Sequence, residues 1–159
     1  MTTEAVSFLQ VSGKTFRLYE TEVEGVDFAN IDIGNYFAEQ MGMPGAQVYK
    51  SLMASAQGTL VMGLVPVTQK ISLKNLANAI GKKKATMVSP EQAEELSGSV
   101  IGGISPFGLK TPMPIVIDKG AFAHPTIAVS GGSRELKVEV TPVDFIELTG
   151  AEIAEIAID

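Results

Sequence analysis

The chain has 159 residues, with 12 Lys+Arg against 18 Asp+Glu for a formal net charge of −6, and 45% hydrophobic residues. That apolar content and low charge density exclude a disordered chain, and about 150 residues suffice to bury ~70% of the unfolded surface in one domain. With no cysteine and one histidine, a disulfide scaffold, a cysteine nucleophile and a thiolate metal site are excluded, and neither metal nor cofactor is expected.

In chain order, the first expected element is a strand from Lys14 to Glu20. Asp32 or Asn35 can cap a helix carrying Tyr36, Phe37, Ala38 and Met41, stopped by Gly42. Gln47 to Ala56 and Thr59 to Val67 are apolar runs joined by Gln57-Gly58, the pattern of a hairpin. Ser72 caps a helix in which Leu73, Leu76, Ala77 and Ile80 recur at helical spacing before Gly81. Ala85 to Val88 reads as a short strand, and Ser89-Pro90-Glu91-Gln92 as a capping box opening a helix to Leu96. Ile115 to Ile117, Thr126 to Val129 and Leu136 to Val140 read as strands, and Thr141-Pro142 opens a last helix ending at Gly150. Short helices among many strands, some in hairpins, predict a single α+β domain spanning 1–159. Its core would be a mixed, mostly antiparallel, barrel-like sheet.

No basic stretch precedes an apolar run at the N-terminus, so no signal peptide is visible and a cytoplasmic protein is expected. The most apolar segment, Thr59 to Val67, is far shorter than the roughly 18 residues of a spanning helix, so no membrane partner is expected. The acidic total counts against nucleic acid, DNA included, but the charge is uneven. Residues 50–119 hold eight lysines against four acids, while both flanking thirds are strongly acidic. A basic middle is either a polyanion-binding patch or a solvated face.

Three segments could carry chemistry. Gly98 to Pro114 is rich in glycine and proline, which suits a rigid loop whose backbone N–H groups approach a ligand and suits an irregular connection equally well. It matches neither dinucleotide nor P-loop patterns. Ser130-Gly131-Gly132-Ser133 follows an apolar strand and reads either as a tight polar hairpin or as a second row of donors facing that loop. Strand alternation places Lys50 with Val48, Leu52 and Ala54; an inward ammonium there needs a partner or ligand anion, unless its stem packs and its head reaches water. His124, before Pro125, reads as a surface turn residue, and Lys82-Lys83-Lys84 either complements a helix C-terminus or contacts phosphates.

Together and in this order, these segments resemble the YbaK/EbsC family, free-standing relatives of the editing domain of prolyl-tRNA synthetases. The matching residues are Val48-Tyr49-Lys50-Ser51-Leu52, Leu73-Lys74-Asn75-Leu76 with Gly81-Lys82-Lys83, Gly102-Gly103-Ile104-Ser105-Pro106-Phe107-Gly108, Val129-Ser130-Gly131-Gly132, Thr141-Pro142 and Leu148-Thr149-Gly150-Ala151. The resemblance runs from about Gly34 to Ile156. It implies trans-editing hydrolysis of mischarged aminoacyl-tRNA, most typically cysteinyl-tRNA(Pro), by positioning of the substrate, whose own thiol is thought to attack the ester. It further implies Lys50 as the key active-site residue, with Gly102 and Ser130 opposite, and Tyr19, Gly103, Ile104, Ser105, Gly131 and Gly132 around the aminoacyl group. The acceptor end of the tRNA is the implied partner, with Lys82, Lys83 and Lys84 as contacts and prolyl-tRNA synthetase as a candidate docking partner.

The family often follows its SGG with a basic pair and a glycine, where this chain has Ser133-Arg134-Glu135, and places an aromatic where Ile33 falls. These departures bear on amino-acid specificity. The alternatives are a non-enzymatic module of the same fold that binds tRNA or a synthetase, and a small-molecule enzyme using the glycine-rich pocket.

Overall fold

The computed structural model describes residues 2–159. Helix α1 (Glu4–Ser12) is capped by Thr3, whose hydroxyl accepts from the Val6 N–H, and strand β1 (Arg17–Glu20) follows. The strand expected from Lys14 begins instead at Arg17, and Lys14 itself pairs with Asp144 and Glu147. Helix α2 (Ile33–Met41) begins at the Asp32 cap and ends at Gly42, as its sequence signals require.

Strands β2 (Tyr49–Ala56) and β3 (Thr59–Pro66) form the long antiparallel hairpin. Its two-residue turn needs positive φ at both positions, and Gln57 (φ 50°) and Gly58 (φ 89°) supply it. Strand β4 (Lys70–Ile71), helix α3 (Leu73–Ala79), strand β5 (Thr86–Met87) and helix α4 (Pro90–Ser97) come next. After the glycine- and proline-rich loop come β6 (Ile115–Asp118), β7 (Ile127–Ser133), β8 (Leu136–Val140) and helix α5 (Pro142–Thr149). Strands β9 (Glu152–Ala154) and β10 (Ala157–Ile158) end the chain.

The sheets are mixed. One has the order β5-β2-β3-β6-β9, antiparallel at the hairpin and parallel where β3 meets β6 and β6 meets β9; another is the antiparallel β1-β8-β7; and β4 pairs with β10. The barrel expected from sequence is not closed: among the described residues the two larger sheets share one parallel bridge, Val48 to Ala128. Strand β3 is covered on both faces, which its unbroken apolar run requires. Met62 and Leu64 join the main core with Phe107, Phe145, Val129 and Val138, while Val61 and Val65 pack with Leu76, Val116 and Ile156 in a second core.

Buried Asp118 ties the chain end to this framework. One oxygen accepts from Gly120 N (2.9 Å), and the other from Ile156 N (2.9 Å) and Ala157 N (2.8 Å). Among the described residues, no helix is long and apolar enough to cross a membrane.

Candidate active site

The seam between the two larger sheets opens into a cavity of about 170 Å³. Its walls come from α2 (Ile33, Gly34, Phe37), from the start of β2 with Val48 before it, from the loop at Ile101, Gly102 and Ile104, and from Val129, Ser130 and Lys137 of the β7–β8 hairpin. Most of this lining is aliphatic or aromatic. The polar groups gather on two sides, with Lys50 and Ser51 on β2 facing Gly102, Ser130 and Lys137.

Lys50 is half-buried, and burial lowers its pKa, an effect opposed by the negative charge of Asp32 at the α2 cap. Alternation had placed Lys50 with Val48, Leu52 and Ala54; the cavity meets both faces at the start of β2, lined by Val48, Lys50 and Leu52 and also by Tyr49 and Ser51. Among the described residues the hydroxyl of Ser51 is buried without a hydrogen-bond partner, as is that of Tyr49, whose pKa burial drives upward with Asp118 adding to the effect. An unpaired hydroxyl in a cavity wall costs stability unless a ligand completes it.

Gly102 has φ +90°, a conformation that favours glycine, and a Cβ there would meet Ile33 at 3.1 Å and Arg134 Nε at 3.3 Å. This backbone turns the Gly102 carbonyl toward β7 and β8, where Ser130 Oγ donates to it at 2.8 Å and Lys137 Nζ at 2.7 Å. Lys137 Nζ also donates to Ser130 Oγ at 3.2 Å and lies 3.6 Å from the centre of the Phe37 ring. Lys137 is 2% exposed, and burial, with the charge of Arg134 behind it, lowers its pKa to about 7. Arg134 is itself placed by a bond from Nε to Ile101 O at 2.6 Å and by the Phe28 ring beneath its guanidinium.

The structure therefore brings Lys50, Gly102, Ile104 and Ser130 together around one cavity and sets the other sequence candidates around it. Gly103 supports the loop from behind: a Cβ there would meet Ser133 and Arg134 backbone at 2.7–2.8 Å, so only glycine allows the loop so close to β7. Ser105 is buried on the side of the loop facing α1, its hydroxyl accepting from Phe107 N. Gly131 and Gly132 also face that helix, since Thr3 donates to the Gly131 carbonyl and a Cβ on Gly132 would meet the Thr3 side chain at 2.9 Å. Tyr19 pairs with Lys137 across β1 and β8 but does not line the cavity; its hydroxyl donates to Glu139 at 2.7 Å. Lys82, Lys83 and Lys84 lie by the hairpin turn, with Lys83 N donating to Gln57 Oε1, roughly 20 Å along β2 from Lys50.

The SGG segment is not the hairpin turn expected at a strand end. It lies within β7 as an irregularity between Ser130 and Ser133, and the turn falls at Arg134-Glu135. The bulge is what points Ser130 Oγ at Gly102 while its neighbours serve α1. Lys137 was missed as a site residue because the alternation in Leu136-Lys137-Val138-Glu139-Val140 assigns it to a polar face, and that face is covered by α2 and the Gly102 loop. The usable signal was a lysine directly across a strand pair from the SGG serine.

The α+β fold is shared by solved structures. One, provisionally described as a trans-editing enzyme for prolyl-tRNA synthetase, superposes with TM-score 0.85 at 23% identity, covering 100% of this chain and 99% of that one. The class is that of editing-domain folds. Residues 35–148 match the aminoacyl-tRNA editing domain family, and the chain belongs to that family. EbsC of Enterococcus faecalis, provisionally named a Cys-tRNA(Pro)/Cys-tRNA(Cys) deacylase, is 33% identical over 75% of this chain and 73% of its own. The multifunctional Ser/Thr-tRNA deacylase ProXp-y of Escherichia coli is 26% identical over 93% of this chain and 87% of its own.

Proposed function

We propose that residues 1–159 act as one trans-editing unit that hydrolyses the ester of mischarged aminoacyl-tRNA, with cysteinyl-tRNA(Pro) as the leading substrate. The observation that carries this reading is the cavity itself. Its mostly apolar lining suits a small aminoacyl group, and it brings Lys50 together with Gly102 and Ser130. In this reading Lys50 engages the ester carbonyl or the terminal adenosine phosphates at the acceptor end, and Gly102 and Ser130 fix the aminoacyl group. With no carboxylate, imidazole or thiol in its lining, the cavity suits catalysis by orientation and fixed donors rather than by a protein nucleophile. Prolyl-tRNA synthetase is a docking partner that would deliver the tRNA.

The test is release of amino acid from cysteinyl-, alanyl- and seryl-tRNA(Pro). The expected result is turnover of at least one, cysteinyl foremost, and loss of about 100-fold or more in Lys50→Ala with unchanged thermal unfolding. Tight tRNA binding without release from any of the three would overturn the enzymatic reading.

A further inference from the structure

Ester hydrolysis moves a proton: the attacking nucleophile loses one and the leaving ribose oxygen gains one. The titratable side chains lining the cavity are Lys50, Tyr49 and Lys137. Tyr49 is driven away from ionisation by burial, and His124 ends a short 3-10 turn outside the lining. Two amines remain. Lys50 is half-buried, which lowers its pKa, but it has Asp32 nearby to oppose that effect. Lys137 is almost wholly buried, and among the described residues no carboxylate pairs with it.

We propose that Lys137 is a second active-site amine, which fixes the Gly102 carbonyl and the Ser130 hydroxyl and carries the proton of the hydrolytic step. The proposal rests on the deacylase reading above. Lys137 Nζ donates to Gly102 O and to Ser130 Oγ, and Ser130 donates in turn to Gly102 O, so the amine is fixed at the cavity wall by neutral oxygens. In its neutral form such an amine carries a lone pair with which to accept a proton. Phe37 opposes this by favouring the ammonium, which leaves the two proton states close in energy. The other charged or titratable groups around it are Arg134 at the β7–β8 turn, Lys50 across the cavity, Tyr19 on β1 and Glu139 further along β8. Glu139 is occupied by Tyr19 and Thr126.

In the step on a substrate that brings no thiol, such as alanyl- or seryl-tRNA, a water oxygen bonds to the ester carbonyl carbon as its proton passes to Lys137 Nζ. The tetrahedral anion then collapses, the bond to the ribose oxygen breaks, and that oxygen takes the proton from Nζ. The products are the free amino acid and tRNA with its hydroxyl restored, and Lys137 returns to the neutral amine.

The test compares Lys137→Met and Lys137→Arg with the wild-type protein in single-turnover deacylation between about pH 5.5 and 8.5. Arginine keeps the charge and the donors but cannot give up its proton, so it separates proton transfer from positioning. The expected result is a loss of about 100-fold in both variants. A wild-type rise in rate through about pH 7 should also be absent from both, while the titration of the substrate α-amine stays common to all three. An active Lys137→Arg protein with the wild-type pH profile would overturn the proposal, leaving Lys137 a positioning residue, even if Lys137→Met were inactive. A wild-type protein inert toward every aminoacyl-tRNA would overturn the deacylase reading itself, and the proton role with it.

Discussion

Among the described residues two charged side chains of opposite sign are buried, and they are treated in opposite ways. Asp118, between the parallel strands and the chain end, has both oxygens occupied by three backbone N–H groups, so its charge is compensated by donors that never leave. Lys137, on the cavity wall, is equally buried and has two oxygen acceptors, neither of them charged. A buried charge that is fully met serves the fold, whereas one left without a counter-charge lowers stability and keeps a reactive proton state available.

The largest effect that could break this comparison is on the acid side. Asp118→Ala should cost ~3–5 kcal/mol, because three buried N–H groups lose their acceptor and β9 and β10 lose their anchor. Urea unfolding measures it, and a cost below about 1 kcal/mol would show that the chain end holds itself.

The amine side should respond with the reverse sign. Lys137→Met, which keeps the stem and removes the uncompensated amine, should stabilise the fold by ~1–3 kcal/mol near pH 6, even as activity falls. The sign follows from proton counting. The folded amine titrates at about 7 and the unfolded one at its ordinary 10.5, so between these values the unfolded chain binds more protons and stability rises with pH. Below about pH 7 the penalty is complete, and above 10.5 it is gone. Thermal unfolding of the two proteins across that window should therefore converge as pH rises, and parallel curves would place the pKa shift elsewhere.

The smallest effect concerns charges that are exposed. Replacing Lys82, Lys83 and Lys84 together by alanine should leave kcat unchanged and raise KM by less than about 10-fold, with a shallower dependence on salt. A loss of kcat would bring the far end of the hairpin into the chemistry, against its separation from Lys50.

Much of the fold was legible because its signals were local. Asp32, Ser72, Ser89 and Thr141 each accept from the N–H three residues on, and Gly42, Gly98 and Gly150 stop their helices in the left-handed conformation. The elements that were not legible depend on distant partners. Helix α1 has a weak apolar pattern and is held by Thr3 on the SGG bulge, while β9 and β10 are three- and two-residue strands fixed by β6, β4 and Asp118. At the site, Lys50, Gly102 and Ser130 stood in recognisable motifs. Lys137 did not, because the period of a strand shows which residues share a face and not whether that face is covered.

Thr3 has a use beyond capping. Its hydroxyl accepts from the Val6 N–H, donates to the Gly131 carbonyl, and its side chain packs on Gly132, next to the bulge that aims Ser130. The turn that opens α1 is thereby latched to the back of the cavity wall. For anyone engineering this protein, the start of the sequence is a poor place for a purification tag or a trimmed boundary, since a disturbance there is relayed in one hydrogen bond to the serine's own strand. The hairpin turn at Gln57-Gly58, at the far end of β2, is the safer point of attachment.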